Sequence, residues 1–256
     1  MLLSSCGVYH GPGLTNTAAH LESPAYYDEE TSANYVSASM GVGNRFGDND
    51  RNLYGNLSFH RANTFEYGSL TYGAFGYFGN YHVGAPFELP AFTGKKPYGG
   101  FGLMGGGNFH VPFERVDWEV FKFTTRFYNE FGEYSRFKRE LISVNREEEY
   151  FEDMYVNHGR MIDVAFGTGL KIKYNNMGVT RISTGFNGHI FGQSCGDNGD
   201  CDRGEVNLFG MNFQIGHSFP EGISLNFMLS SGIGGGDWYW GWGDHAVTSF
   251  GLSYQF

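Results

Sequence analysis

The feature that most limits how this chain folds is a recurring alternation of large apolar residues with small or polar ones. In residues 160–174, RMIDVAFGTGLKIKY, apolar side chains at most even positions alternate with Asp163, Lys171, Lys173 and small residues at odd positions. A period of two places successive side chains on opposite faces of a β-strand. Ten segments follow this pattern and predict an all-β fold: residues 34–46, 52–62, 64–79, 97–109, 115–128, 160–174, 179–191, 206–219, 223–234 and 246–256.

Composition narrows the all-β classes to two. Charged residues make up 17% of the 256 residues and aromatic residues 18%, whereas a soluble domain usually has about a quarter of its residues charged. No run approaches the roughly 18 apolar residues of a membrane-spanning helix. The chain is therefore either a soluble all-β protein or a membrane β-barrel, in which alternation dilutes the apolar signal. A net charge of −10 argues against nucleic acid as a partner, because phosphate binding needs a basic surface.

The lengths of the connections favour the membrane barrel. Every second connection is short, namely those at 61–64, 109–115, 175–178 and 219–222, and four of the five others are long. Short periplasmic turns that alternate with long outer loops are typical of bacterial outer-membrane barrels, which also have an even number of strands. The sequence predicts a transmembrane antiparallel up-and-down β-barrel over residues 34–256, with about ten strands and eight or twelve as alternatives. Its long loops are expected outside the cell.

The last segment supports closure of such a barrel. Residues 246–256, AVTSFGLSYQF, alternate along their whole length and end on Phe256. A barrel has no free edge, so its last strand must pair with its first strand and face lipid on the outside. Alternating apolar residues that end in Phe resemble the C-terminal assembly signal of outer-membrane barrels. Tyr254 and Phe256 are expected in the interfacial aromatic girdle. The alternative is an amphipathic edge strand in a soluble protein.

The N-terminal residues contain a cysteine in a suggestive setting. Leu3, Ser4, Ser5 and Cys6 form LSSC, which resembles the lipobox of bacterial lipoproteins, where the cysteine is acylated. Only five residues precede Cys6, too few for a complete signal peptide. We expect a covalent lipid on Cys6, with residues 1–33 serving as a lipobox-like N-terminus and polar tether; the alternative is a chance match.

The other two cysteines lie close together in CGDNGDC. Cys195 and Cys201 enclose five residues, and this spacing predicts a disulfide, which implies an oxidising compartment. The alternative is two free thiols. The same loop holds weak calcium candidates, because oxygen ligands at alternating positions suit Ca²⁺. Its glycine is misplaced for a calcium loop, so a solvated acidic tip is favoured and no metal is expected. The candidates are Asp197, Asp200 and Asp202.

Two groups of residues are candidates for contact with a partner protein. The highly charged segment 129–159 contains Phe137 and Leu141 at helical spacing, and this segment is predicted outside the cell. Trp240 and Trp242 lie in the last outer loop, where aromatic residues anchor interfaces. The alternatives are a solvated loop for the first group and a membrane girdle for the second.

A barrel of ten strands is narrow enough for side chains to fill its interior. Charged residues on the predicted inner faces should therefore form paired networks inside the lumen. The alternative is a narrow polar conduit. These residues are Lys122, Arg126, Asp163, Lys171 and Lys173.

Enzymatic activity is not predicted. His217 and Ser218 are adjacent but lie toward the predicted periplasmic end, whereas His158 and His245 have no neighbouring serine. A nucleophile and its base must lie within hydrogen-bonding reach of each other.

The LSSC motif, the stretch GLTNTAAHLESP and the barrel start NYVSASMGVG together resemble small outer-membrane β-barrel lipoproteins of Bacteroidota-type bacteria. The resemblance implies a barrel that works inside larger outer-membrane assemblies and has no catalytic residues. Our first hypothesis is a non-enzymatic structural or interaction subunit of an outer-membrane complex. A narrow channel or small-ligand transporter is the alternative. Membrane lipids and other outer-membrane proteins are the expected partners, and no cofactor is expected.

Overall fold

A computed structural model describes residues 7–9, 31–45, 50–84, 93–148, 154–156, 160–189, 193–195, 201–203, 209–233 and 245–256. Ten of its strands close into one antiparallel barrel in the order β12-β13-β14-β2-β3-β4-β5-β6-β8-β9, which confirms the predicted fold class. The barrel strands are β2 (Ser32–Arg45), β3 (Arg51–Phe65), β4 (Gly68–Val83), β5 (Gly94–Pro112), β6 (Val116–Gly132), β8 (Arg160–Tyr174), β9 (Gly178–His189), β12 (Phe209–Ser218), β13 (Ile223–Ile233) and β14 (His245–Gln255).

The remaining elements lie in the connections at the long-loop end of the barrel. A helix, α1 (Glu133–Glu148), follows β6 directly. Four short strands form a separate sheet in the order β1-β7-β10-β11. Residues 7–9, expected in a polar tether, form β1 and pair in parallel with β7. These strands are β1 (Gly7–Tyr9), β7 (Met154–Val156), β10 (Gln193–Cys195) and β11 (Cys201–Arg203).

The barrel closes because β14 pairs with β2, as the terminal alternation predicts. Phe250 lies opposite Met40 in this pair, and the backbone N–H of Phe256 donates to the carbonyl of Asn34 at 3.0 Å. Following paired residues once around the wall leads from Lys173 back to the same strand at Met161, a stagger of 12 residues. With strands about 4.8 Å apart, this stagger corresponds to a tilt of about 40° and a radius of about 10 Å.

The outer face is a band of exposed apolar side chains. Phe101 and Phe109 lie eight residues apart on β5 and both point outward. At a rise of about 3.4 Å per residue and this tilt, they span about 21 Å, close to the ~25 Å apolar band of membrane barrels. An aromatic girdle rings the end with the short turns, as membrane interfaces favour. Its members are Phe65, Tyr67, Phe113, Trp118, Tyr174, Phe219, Tyr254 and Phe256.

A β-bulge changes which residues of β6 face the lumen. The pairing of β6 with β8 shifts register between Glu119 and Lys122. An extra residue in one strand reverses the alternation beyond it, so Trp118 and Phe121 both point outward despite their odd spacing. A simple period of two could not have assigned this strand correctly.

Tyrosines inside the lumen pack against glycines on neighbouring strands. Tyr54 covers Gly41 and Tyr77 covers Gly100, so that a Cβ atom at either glycine would overlap the ring. Gly102 lies so close to the backbone at Phe127 and Tyr128 that its Cβ would collide with main-chain atoms. Glycines on the inner wall therefore make space for large side chains from adjacent strands.

This packing predicts different effects for two glycines of the same strand. Gly102→Ala should destabilise the barrel by about 1–3 kcal/mol, because the added methyl group meets backbone that cannot move aside. Gly105→Ala is the matched control, since its Cβ would lie 3.7 Å from the nearest atom, the Thr71 carbonyl oxygen. Thermal unfolding, followed by the mobility of the folded barrel on unheated SDS gels, measures both. Equal loss in the two variants would contradict the packing argument.

Candidate functional site

The lumen holds a charged cluster close to the short turns. Lys171 Nζ lies 3.8 Å from Glu119 Oε1, and Arg181 Nε lies 3.9 Å from Glu119 Oε2. Lys173 Nζ lies 3.1 Å from Asp117 Oδ1. Because β6, β8 and β9 are neighbours in the wall, these five side chains project into one region of the interior. Opposite charges at this separation compensate the cost of burying them.

Neutral groups complete this cluster. Asn108 Nδ2 donates to Glu119 Oε1 at 2.5 Å, and Ser69 Oγ donates to Asn108 Oδ1 at 2.9 Å. His110, fully buried, also points into this part of the lumen. The cluster thus extends from β9 across β8, β6 and β5 to β4 and forms one polar network.

A second layer lies nearer the middle of the barrel. Arg126 is opposite Asp163 in the pairing of β6 with β8, and both side chains are buried. Tyr128 Oη donates to Asp163 Oδ1 at 3.1 Å. The Arg126 guanidinium lies 4.8 Å from the ring centroid of Phe75, a distance typical of a cation–π contact. This layer crosses the lumen with both charge and aromatic surface.

Helix α1 packs on lumenal side chains of β4, β5 and β6 at the long-loop end. Gly132 has φ +108°, a conformation that suits glycine, and it turns the chain from β6 into the helix without a linker. Tyr134 stacks on Tyr81 with ring centroids 4.3 Å apart. Lys138 Nζ lies 2.6 Å from Glu130 Oε1, and both side chains are fully buried. Burial lowers the pKa of Lys138, while the attraction of Glu130 opposes that shift.

The side of the lumen opposite the charged cluster is lined by small side chains. One row of paired residues carries a serine on each of five neighbouring strands, β12, β13, β14, β2 and β3. Small residues there leave the cross-section free for the large residues of β4, β5, β6 and β8. The row consists of Ser218, Ser224, Ser253, Ser37 and Ser58.

Two small cavities lie among the lumenal side chains. They have volumes of about 10 and 20 Å³ and share Lys122 and Thr124 in their linings. A cavity needs roughly 10–15 Å³ to hold one water molecule. Both spaces are therefore the size of single water molecules.

The structure brings together the charged residues predicted in the lumen. Arg126, Asp163 and Lys171 are buried inside, and Lys173 lies in the cluster with 15% of its side chain exposed. Lys122 lines both cavities. The predicted interior position is confirmed for these residues, and the predicted charge pairing is confirmed for Lys171 and Lys173.

The structure corrects the interpretation of Phe137 as a partner contact. Its residue exposure is 2%, its ring lies 6.0 Å from that of Tyr134, and Lys96 lies 5.6 Å from its centroid. The segment folds inward because Tyr134, Phe137 and Lys138 lie on one helical face directly after Gly132. That spacing of three and four residues was the sequence signal for an inward face; the charge of the segment masked it.

The other predicted site residues are only partly described. Leu141 lies within α1, but its side chain is outside the described set. Cys195 and Cys201 lie directly opposite each other in the β10–β11 hairpin, and Asp202 is paired with Ser194. Their disulfide and any calcium site stay predictions. Five predicted residues fall outside the described ranges: Cys6, Asp197, Asp200, Trp240 and Trp242.

The adjacent His217 and Ser218 point to opposite faces of β12. His217 Nδ1 lies 3.0 Å from Thr180 Oγ1, and its Nε2 lies 2.9 Å from the carbonyl oxygen of Met177. Ser218 Oγ instead accepts from Ser224 Oγ at 2.9 Å. The imidazole is therefore engaged in local hydrogen bonds and is not aligned with the serine.

Within the ranges that the structure describes, no three His, Cys, Asp or Glu side chains are grouped so that they could hold a metal ion. No helix in the described part of the chain is long and apolar enough to cross a membrane.

Comparisons with known proteins concern the architecture only. No protein-family model and no curated protein sequence matches the chain. Among solved structures, it is similar to an outer membrane channel from Pseudomonas putida F1, with 6% identity, a TM-score of 0.45 and coverage of 93% of this chain and 100% of that chain. It is also similar to the translocator domain of the autotransporter NalP from Neisseria meningitidis, with 9% identity, a TM-score of 0.43 and coverage of 91% of each chain.

The β domain of the Bordetella autotransporter BrkA is a third similar structure, at 9% identity and a TM-score of 0.41, with coverage of 88% of this chain and 98% of that chain. With identities below 10% and TM-scores below 0.5, these similarities indicate no activity, substrate or partner. The fold assignment rests on the strand pairing itself.

The buried ion pair at the mouth predicts how α1 responds to mutation. Glu130→Gln leaves Lys138 buried without its partner charge and should loosen the helix by about 3 kcal/mol. We expect trypsin to cleave α1 roughly 100-fold faster in this variant, because cleavage follows the population of the opened helix. The double variant Glu130→Gln with Lys138→Met removes both charges and should recover most of the protection. If the double variant is cleaved as fast as the single one, the ion pair is not what holds the helix.

Proposed function

We propose that this chain is an outer-membrane β-barrel with a closed lumen, and that it acts as a non-enzymatic structural or interaction subunit of a larger outer-membrane complex. The observation that supports this proposal is the filled interior. Charged layers, tyrosines and α1 occupy successive levels of the lumen. A barrel with such an interior has its outer face and its loops as the surfaces for function.

The exposed face of α1 is the proposed contact surface for a partner protein. Arg136 and Arg139 are exposed, as are Glu133 and Glu140, while the opposite face is packed in the mouth. The proposed contact surface is formed by these charged side chains and does not include Phe137, which is buried. Long loops on the same end, placed outside the cell as bacterial barrels favour, would extend the contact surface.

A narrow channel is the second candidate, and the position of α1 favours it. The helix packs on lumenal side chains of β4, β5 and β6 at the mouth and is joined to β6 through a single glycine, Gly132. Displacement of such a helix is a common way to open a pathway. If the chain is a narrow channel, the structure described here is its closed state, and α1 is the gate.

We make two further proposals about the cysteines. Cys6 is proposed to bear a lipid, which would add a second anchor to the barrel. Cys195 and Cys201 are proposed to form a disulfide; their opposed positions in a hairpin bring the two Cα atoms within the range that a disulfide needs. Free thiols at these positions would argue against an oxidising compartment.

Conductance in planar bilayers separates the two candidates. The unmodified barrel should give no discrete current steps, since its cavities hold only single water molecules. The double variant Tyr134→Ala with Lys138→Ala releases α1 and should remain closed if the deeper layers seal the lumen. Arg136→Ala, on the exposed face of the same helix, is the matched control. Discrete steps in the double variant alone would support the gated channel, and steps in the unmodified protein would exclude a closed lumen.

Purification from native outer membranes tests the subunit proposal. After gentle detergent extraction, we expect a partner set in constant stoichiometry, and the intact mass should include an acyl increment and a loss of two hydrogens for the disulfide. Arg136→Glu with Arg139→Glu should reduce recovery of the partner about tenfold or more, because reversed charges at an interface repel. Arg61→Glu, exposed at the opposite end, is the control. Elution of the unmodified chain as a lone monomer would contradict the proposal.

A further inference from the structure

A row of basic side chains lies on the outer face of the barrel at the long-loop end. Arg51 on β3 is paired with His82 on β4, and His82 is paired with Lys95 on β5. All three are exposed, and they point outward because the adjacent Asn52 and Tyr81 point into the lumen. Three neighbouring strands thus present cationic or N–H donor groups in one continuous row.

The three side chains have no protein partner in the part of the chain that the structure describes. Among the described residues, none forms an ion pair or side-chain hydrogen bond with Arg51, His82 or Lys95. Lumenal cations of this barrel behave differently, since Lys138 and Lys173 each lie against a carboxylate. The chain has a net charge of −10, so three basic groups on adjacent strands without a carboxylate partner among the described residues are unusual. Such a row is suited to bind an external anion.

The height of the row fits the headgroup layer of a bilayer. Arg51 lies two residues, or about 5 Å along the barrel axis, beyond the exposed Leu53 at the edge of the apolar band. Because the strands are tilted by about 40°, the row rises about 3 Å from each strand to the next. Arg51 therefore lies about 5 Å beyond the apolar edge, within the ~5–8 Å headgroup layer of one leaflet, and His82 lies at the outer limit of that layer. The backbone at Lys95 lies about 11 Å beyond the edge, and its long, flexible side chain can reach back to the headgroups.

The opposite end of the barrel carries a different charge pattern. Its short turns expose Glu66, Glu114 and Glu221, and also Arg115, with Arg61 exposed nearby on β3. Lys and Arg near an anionic surface are each worth about 1 kcal/mol of attraction, whereas acidic side chains are repelled by it. The short-turn end therefore carries mixed charge and has no row of basic groups on three adjacent strands.

We propose that Arg51, His82 and Lys95 form a binding site for the phosphate of an anionic lipid headgroup in the leaflet at the long-loop end. Arg51 supplies a planar pair of donors that matches a phosphate, Lys95 supplies a compact positive charge and His82 supplies an N–H donor. The acyl chains of the same lipid lie against the apolar band directly beneath, at Leu53 and Phe78. This site rests on the proposed membrane location of the barrel.

Native mass spectrometry of the delipidated, refolded barrel tests the site. The probes are phosphatidylglycerol and phosphatidylcholine of equal chain length, and inorganic phosphate as competitor. We expect phosphatidylglycerol adducts to exceed phosphatidylcholine adducts, and this preference should fall about fivefold for each of Arg51→Gln and Lys95→Gln. His82→Gln added to both should remove the remaining preference. Arg61→Gln, an exposed basic residue on the same strand β3 at the other end, should leave it unchanged.

Several outcomes would overturn the proposal. Equal preference in the triple variant and the unmodified protein, or equal loss in Arg61→Gln, would show that the row does not select the lipid. Displacement of the lipid by millimolar inorganic phosphate would identify a site for free anions. Each variant is first checked for the folded band on unheated SDS gels. Insertion into phosphatidylcholine vesicles reports the membrane location separately, so failure there is distinguishable from loss of headgroup selection.

Discussion

Closure of the backbone hydrogen-bond circuit is the constraint on which the rest of this structure depends. In a bilayer, unpaired N–H and C=O groups are too costly to leave exposed, so each strand must pair on both sides. The pairing of β14 with β2 completes that circuit. Its stagger of 12 residues sets the tilt and radius, and the radius in turn decides how large the side chains inside must be to fill the lumen.

A lumen of this size is filled by unequal walls. A row of serines lines one side, and large tyrosine, arginine and lysine side chains reach across from the other, while glycines on β2 and β5 make space for tyrosines of neighbouring strands. Charges such as Lys171 and Glu119 lie inside because each has a counter-charge within 4 Å. Packing and electrostatics are therefore linked, because every large polar side chain that fills the interior also needs a hydrogen-bonding or oppositely charged partner.

The same geometry separates the functional surfaces. Strands β4, β5 and β6 have 16, 19 and 17 residues, more than the ~9–11 needed to cross a bilayer. Their extensions form a wall beyond the membrane at the long-loop end. The inner face of that wall holds α1 through Tyr81 and Glu130, and its outer face carries His82 and Lys95. The packing of α1 and the proposed headgroup site thus both depend on these long strands.

The alternation of the sequence by itself determined the fold class and the burial of residues such as Asp163 and Lys171, because a period of two assigns each side chain to a face. It predicted about ten strands but left eight or twelve open, and the strand pairing of the tertiary structure decided that number. The alternation could not place the bulge near Glu119, which depends on pairing with β8. Nor could it bring together Arg51, His82 and Lys95, whose adjacency depends on strand register. The tertiary structure also decided the inward fold of α1, which buries Phe137. A charged amphipathic helix is equally compatible with the protein surface. It packs inward here because the barrel provides a space of matching shape and a counter-charge at Glu130.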